Sequence, residues 1–351
     1  MKRFLCLSLI CSMLFSTNCF ASEMQVQIGS EQIQEPKAEK FIIDTDFSSD
    51  VDDALAISTA LWFDDVGLVD VEGISICCSS VRATYAMSAL TYSHGYYDIP
   101  ISLHVDSGLK IGSKYHLGMT NGRAYSENYV SDNVKMYRKI LAESKDAVNI
   151  VSLGQFNQLY RLLNSQPDEY SSLTGAELVA QKVKCLYCIA TKYTGKPENN
   201  MFYGGETNEP VADMASFVAN NWGSKIVWIP AEVGGLFAVG QFFNDSDRAC
   251  SDILTKALAD FGRPDGHTAF DPMAVYVAMC DACGLSDSKS LTYEKGAMSI
   301  YSNGSSYFNT TNPYKEHYVV YKGQPDKYYQ DEINQMLGYE FTKRTGKKVI
   351  W

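Results

Sequence analysis

The sequence predicts an α/β fold: a doubly wound, mostly parallel sheet with helices on both faces and an antiparallel edge near the C-terminus. Three observations predict it. Short apolar runs that read as buried strands alternate with longer helical segments from residue 41 to about residue 285. Clusters of Asp and Asn stand directly after several of those runs, at the edge from which a parallel sheet projects its ligand-binding loops. From about residue 295 the texture changes to Tyr, Ser, Asn and Thr in short alternating stretches, as in antiparallel edge strands.

The N-terminus stands outside this pattern. Lys2 and Arg3 precede the apolar run Phe4 to Phe15 and the small-residue exit Cys19-Phe20-Ala21, the layout of a secretory signal cleaved after Ala21. The run is too short to span a bilayer. A lipidated Cys19 is the alternative, although Ser16-Thr17-Asn18 is a poor approach to one. Residues 22–40, polar with Gln, Glu and Lys, read as an exposed leader, and residues 41–351 as one domain without an internal repeat or linker. No later apolar stretch is long enough for a membrane span, so a secreted or periplasmic protein without a membrane partner is expected.

The elements follow in order. Phe41–Ile43 is the first strand, and a helix runs from about Asp52 to Trp62. Leu68–Ile76 is a strand, Val81–Tyr96 a helix, Ile99–His104 a short strand, and residues 106–130 a long surface loop rich in Gly, Ser, Tyr and Asn. Asn133–Glu143 is helical, Val148–Leu153 a buried strand ending at Gly154, and Phe156–Leu163 the helix behind it. Val183–Ala190 is a strand, followed by the loop Lys192–Asn208 and the helix Val211–Asn220. Lys225–Val233 is a strand and Asp245–Phe261 a helix. The loop Gly262–Phe270 then leads through Asp271-Pro272 into a helix ending near Cys283, and Gln330–Leu337 is the final helix.

With 30 basic and 41 acidic residues the chain carries a formal net charge of −11, and loss of the signal removes two positive charges more. It has no basic footprint for phosphate, which argues against a nucleic-acid partner. Three of the ten cysteines leave with the signal; Cys77, Cys78, Cys185, Cys188, Cys250, Cys280 and Cys283 remain. Cys185-Leu-Tyr-Cys188 is a metal-like spacing, but on a strand positions three apart face opposite sides. Buried free thiols are the main reading, with zinc and a disulfide left open; an odd count leaves at least one thiol unpaired.

The chemistry concentrates in Phe41 to Ile57, where an apolar strand meets Asp44, Asp46, Asp50, Asp52 and Asp53 before a helix opens at Ala54. So many carboxylates repel one another unless a cation, hydroxyl groups or protons compensate. Helix capping by Asp50 or Asp52 accounts for one or two of them. There is no Walker A loop, no G-x-G-x-x-G after a strand, no H-E-x-x-H and no G-x-S-x-G, and the five histidines do not cluster at metal spacing. Oxygen ligands without His or thiolate favour calcium or magnesium over zinc.

The order D-T-D…D-D-A-L-A-I, Leu153-Gly154 at a strand end, Asn200…Glu206-Thr207-Asn208, and Phe270-Asp271-Pro272 resembles the inosine–uridine nucleoside hydrolase family over roughly residues 41–285. The resemblance implies a nucleoside hydrolase-like fold, one Ca²⁺ at the bottom of a ribose pocket, and hydrolysis of ribonucleosides to ribose and free base. Position by position it implies that Asp46, Asp53, Asp271 and the carbonyl of Leu153 bind the Ca²⁺ and that Asp46 is also the base that deprotonates the attacking water. Asp52 would hold the ribose hydroxyls, and Asn200, Glu206 and Asn208 would grip the sugar and stabilise its developing positive charge. Carboxylates around an oxocarbenium-like ribose suit that transition state.

Three departures matter. The first loop is two residues longer than the common form and adds Asp50, which reads as a spare helix cap or an outer group around the site. Ser80 stands where many members have an asparagine that contacts ribose. Phe270 stands where others have His or Trp; it cannot protonate the leaving base but can line or stack on a purine, which favours purine nucleosides. His267 is the other candidate acid, or else an exposed loop residue, and Phe202 and Tyr203 either line the base pocket or pack in the core. A different N-ribosyl or glycoside substrate is an alternative, as is a sugar- or nucleoside-binding protein without turnover. A homo-oligomer is compatible with the chain, although it shows no interface signature.

Overall fold

Chain order runs β1 (Glu39–Thr45), α1 (Asp52–Asp65), β2 (Val69–Ile76), α2 (Val81–Ser93), β3 (Ile101–Leu103), α3 (His116–Thr120) and β4 (Tyr129–Val130). It continues with α4 (Asn133–Glu143), β5 (Val148–Ser152), α5 (Asn157–Asn164), α6 (Gly175–Lys182), β6 (Val183–Thr191), α7 (Val211–Asn221) and β7 (Lys225–Pro230). It ends with β8 (Ala238–Val239), α8 (Ile253–Phe261), β9 (His267–Thr268), α9 (Phe270–Ala282), β10 (Leu291–Ile300), β11 (Ser306–Asn309), β12 (His317–Lys322) and α10 (Asp326–Thr345). This computed structural model describes residues 37–48, 50–104, 113–121, 128–201, 210–244, 252–312 and 315–349. The signal read in residues 1–21 lies outside the described residues, as does most of the leader.

Ten strands form one sheet in the order β11-β10-β12-β7-β6-β5-β1-β2-β3-β4. Every pairing from β12 to β4 is parallel; β10 runs antiparallel to both β12 and β11, the expected C-terminal edge. From β1 the chain builds outward through β2, β3 and β4, then returns to place β5 against the other side of β1. The direction of winding therefore reverses between β1 and β5, and loops leaving their carboxyl ends diverge to leave a crevice.

Burial on both faces explains why the strands read as apolar runs. Phe41 and Ile43 point into one core and Ile42 into the other, as the period of two requires. Cys185 and Cys188 fall on opposite faces for the same reason, and the described cysteines are free thiols. The helix α1 is buried from Asp52 to Phe63 and α9 from Asp271 to Cys280. Two helices apolar all round must lie inside the protein, and these pack on each other against the sheet.

Several expected boundaries move. Glu39 and Lys40 belong to β1 rather than to an exposed leader, because their backbones pair with Val69 and Asp70 of β2. The stretch read as a surface loop over 106–130 contains α3 and β4, and its Tyr115 and His116 are buried. Phe47 stacks on His116 at 4.8 Å and meets Tyr115 edge-on at 5.7 Å, so this stretch covers the first loop. The helix α6 was not expected; Thr174 and Glu177 form a capping box at its start. The strand expected over Lys225–Val233 ends at Pro230 and turns into a 3₁₀ segment, while α10 extends well beyond Gln330–Leu337 at both ends. The described helix before Gly262 begins at Ile253, capped by Asp252, which accepts from the backbone N–H groups of Leu254 and Thr255; residues 245–251 of the expected helix lie outside the described residues.

Candidate active site

The carboxyl end of β1 is tied down on both sides. The carbonyl of Asp44 accepts from Leu153 N at 2.7 Å, and the carbonyl of Thr45 accepts from Cys77 N at 2.9 Å. Asp44 is fully buried, with its carboxylate accepting from the Tyr137 hydroxyl; burial, opposed by that bond, pushes it up to about 8. Thr45 then folds its hydroxyl back to accept from Phe47 N at 3.1 Å and to donate to the Asp53 carboxylate.

Asp50 and Asp52 are not helix caps: Val51 occupies the N-cap position of α1 with no side-chain cap bond. Asp50 accepts from Val51 N at 2.7 Å and lies 3.0 Å from His267 Nε2, and its carbonyl accepts from the Tyr115 hydroxyl. His267 is consequently only 9% exposed, not the exposed loop residue that was one reading of it. Burial lowers its affinity for a proton, but Asp50 and Asp52 together raise it above the ordinary histidine value.

Carboxylate oxygens of Asp52, Asp53 and Asp271 lie within 4.8 Å of one another, all buried. Asp271 sits in the first turn of α9, with Ala269 at the N-cap, and donates its backbone N–H to Asp52 at 3.4 Å. It does not cap the helix. Burial first, and then repulsion from Asp46 for Asp53 and from Asp52 for Asp271, pushes these two well above the usual carboxylate range, while Asp52 rises to about 8. Together with Asp46, Leu153 and Asn200 these residues line a cleft of about 120 Å³ whose described walls include no Lys or Arg. Such a set needs protons or a cation. Buried, mutually repelling carboxylates beside a backbone carbonyl form an all-oxygen donor set that fits a hard divalent ion.

Asp46 is buried at 8% exposure; burial raises it to about 6 against the hydrogen bond from Gln155 Nε2 to Oδ2, 3.0 Å long. Gly154 permits this closeness, since a Cβ there would stand 2.7 Å from Asp46 N and 2.9 Å from Asp46 Cβ. Across the cleft, Asn200 donates its side-chain amide to the carbonyls of Leu153 and Ile189. Because both partners are acceptors, the amide nitrogen must face them and Oδ1 is turned the other way. Phe270 is half-buried in the first turn of α9, its ring over Gly235, where a Cβ would come within 2.7 Å of Cε1.

Of the expected site residues, the cleft thus gathers Asp46, Asp52, Asp53, Leu153, Asn200, Phe270 and Asp271. Ser80 stands at the N-cap position of α2, on the same carboxyl edge of the sheet, and is not among the residues lining the cleft. Glu206 and Asn208, with Phe202 and Tyr203, lie outside the described residues. The cleft also contains Gln155 and Glu198, which the sequence reading did not single out. Glu198 accepts from Asn200 N at 2.8 Å, and burial raises it to about 7. The available signal was an acid in the loop after β6, two residues before Asn200 and on the same sheet edge.

No family model matches the chain, and no curated protein matches it in sequence. Solved structures do. A purine-preferring ribonucleoside hydrolase from Gardnerella vaginalis superposes with a TM-score of 0.64 at 16% identity, covering 87% of this chain and 100% of that one. An inosine-uridine preferring nucleoside hydrolase from Bacillus anthracis gives 0.62 at 16% identity, over 85% and 99%. The type III effector protein XopQ, complexed with adenosine diphosphate ribose, gives 0.60 at 11% identity, over 89% and 95%. The chain has the fold of the nucleoside hydrolases.

Proposed function

We propose that the protein hydrolyses the N-glycosidic bond of ribonucleosides, releasing ribose and free base, with purine nucleosides preferred and Ca²⁺ as its metal. One observation carries the reading. The residues to which the family resemblance gives the roles of base, metal ligand and sugar contact come from four separate stretches of chain, and Asp46, Asp52, Asp53, Leu153, Asn200 and Asp271 converge on one acidic cleft at the β1/β5 reversal.

Asp46, Asp53, Asp271 and the Leu153 carbonyl would hold the cation. When bound, it neutralises the mutual repulsion of these carboxylates and supplies Lewis-acid polarisation of oxygen. Asp46 accepts the proton of the attacking water; with Oδ2 held by Gln155, Oδ1 is the oxygen left for it. Asp52 accepts hydrogen bonds from the vicinal ribose hydroxyls. As the glycosidic bond breaks, positive charge grows on the sugar, and the carboxylates of Asp52 and Glu198 with Asn200 Oδ1 stabilise it more than the neutral ground state. Phe270 offers an apolar ring to the base, a contact that grows with the size of the ring system and so favours purines; the base departs with the electron pair of the glycosidic bond and takes its proton from solvent. The export signal read in residues 1–21 would place this reaction outside the cytoplasm.

Incubation with inosine, adenosine, guanosine, uridine and cytidine, with and without chelator, tests the proposal by release of free base. Release from none of them in the presence of Ca²⁺ would sink it. A second reading is favoured by the lengthened first loop and by Ser80, a serine where many members of the family have an asparagine: a ribosyl compound other than a free nucleoside is bound in the cleft, with or without turnover. The effector structure with adenosine diphosphate ribose is a precedent for such a ligand on this fold. Binding of that compound without base release from any nucleoside would favour it.

A further inference from the structure

The geometry points to Gln155 as a positioning residue for Asp46, itself held in orientation by the thiol of Cys77; the inference rests on the hydrolase reading above. Gln155 is 1% exposed in the turn after β5. Its Nε2 donates to Asp46 Oδ2 at 3.0 Å, and its Oε1 accepts from Cys77 Sγ at 3.3 Å. Cys77, fully buried at the exit of β2, is fixed in turn: its N donates to the Thr45 carbonyl, and its own carbonyl accepts from Asn157 Nδ2 at 3.2 Å. The line Cys77–Gln155–Asp46 therefore takes one member from the carboxyl end of each of β2, β5 and β1.

The need for such a line is torsional. The χ2 angle of an aspartate is broad and roughly two-fold, so the side chain alone does not decide which oxygen faces the substrate. A bond to Oδ2 makes the two oxygens unequal and leaves Oδ1 as the base. The carboxamide has the same ambiguity, because turning it over exchanges its oxygen and nitrogen. Turned over, Gln155 would set its oxygen against the Asp46 carboxylate with no proton between them. A thiol at the far end favours the same orientation, since its S–H can donate to an amide oxygen while its sulfur is only a weak acceptor for an amide N–H. Gly154 completes the fit, since a Cβ there would stand 2.7 Å from Asp46 N and 3.0 Å from Cys77 Sγ, so glycine lets the chain beside Gln155 pass this close to both.

The experiment is a set of variants assayed on the best nucleoside of the panel. Gln155→Leu keeps the bulk and removes both polar ends. It should lower kcat roughly 10- to 100-fold, the usual scale for a group that orients an active carboxylate, with KM changed less than about threefold. Cys77→Ala should lose activity in the same direction, and Cys77→Ser, which restores a hydroxyl donor, should recover most of that loss. Placed on Asp46→Asn, Gln155→Leu should cost less than about threefold more, because residues acting through one another are not additive. Unchanged kcat, a loss confined to KM, a serine variant as impaired as the alanine one, or full additivity would each overturn the inference. A crystal structure of Gln155→Leu supplies an arm independent of turnover: the Asp46 carboxylate should be rotated from its present orientation, and an unrotated one overturns the inference even if the wild type releases no base.

Discussion

Asn200 Nδ2 donates to the carbonyl oxygens of Leu153, at 2.8 Å, and Ile189, at 2.9 Å, stapling the ends of β5 and β6 at the floor of the cleft. Asn200→Asp replaces this two-proton donor with a charged acceptor facing two carbonyls. Leaving buried acceptors unpaired costs about 1–3 kcal/mol. A loss of that size is expected in urea unfolding without added cation, and an unchanged midpoint would show that the amide does not hold the strand ends.

The carboxylate of Asp46 is the base in the proposed reaction, so Asp46→Asn, nearly identical in shape, should lower kcat by roughly 10²–10⁴-fold, the range for a positioned general base. Steady-state kinetics on the preferred nucleoside check this. A protein that only binds should instead show altered affinity, measured by calorimetry, with no turnover to lose.

Asp53 and Asp271 are pushed well above the usual carboxylate range by burial and by their neighbours' charges. In thermal unfolding, added Ca²⁺ should raise the melting temperature, because a ligand at 100 times its Kd stabilises by about 2.7 kcal/mol. Asp53→Asn and Asp271→Asn should each melt higher than the wild type in chelator, since one repelling charge is gone. Each should also lose most of the response to Ca²⁺. If both variants keep the full response, these carboxylates do not hold the ion.

Far from the cleft, Glu340 is fully buried on α10, 3.6 Å from His94 Nε2, with no hydrogen-bond partner for either oxygen among the described residues. Arg344 bonds to His94 and Asp252, and Lys343 pairs with Asp65; these cations lower Glu340 and Asp65 raises it, but burial dominates and takes it to about 7. The folded state then holds a proton that the unfolded state releases near 4.5. Its contribution to stability is complete below about pH 4.5 and is lost as pH rises through about 7. Glu340→Gln should flatten this part of the profile, so that its advantage over the wild type grows between pH 5 and pH 8 in parallel urea titrations.

How much of this could be read from residues alone follows from where the information lies. The strand, the acidic loop and the helix after it were legible because a strand buried on both faces is a continuous apolar run, and β1 is such a strand. Cys185 and Cys188 needed only the two-residue period. Position 174 carried a local signal, Thr174-x-x-Glu177, that a search for capping boxes would have caught. The partner of Asp50 carried none: His267 lies more than two hundred residues away and meets it only in three dimensions. Tyr115 and His116 looked like loop because their neighbours are Gly, Ser and Lys; their burial comes from Phe47, on another segment. Glu198 and Gln155 were missed for a similar reason, since a polar residue after a strand becomes part of a site only through what faces it.

The contact between Asp52 and Asp271 joins residues 219 positions apart. A ribosome delivers the first of them long before the last, so the emerging chain carries its densest negative charge for most of synthesis without Asp271, the last of the six carboxylates that line the cleft. Until α9 arrives, α1 lacks the helix it packs on most extensively, and the carboxylates at its start lack one wall of their enclosure. Solvent and counter-ions screen them in that interval, and the repulsion reaches its full strength only when α9 docks. Assembly of the cleft and closure of this part of the core therefore depend on the same helix, α9.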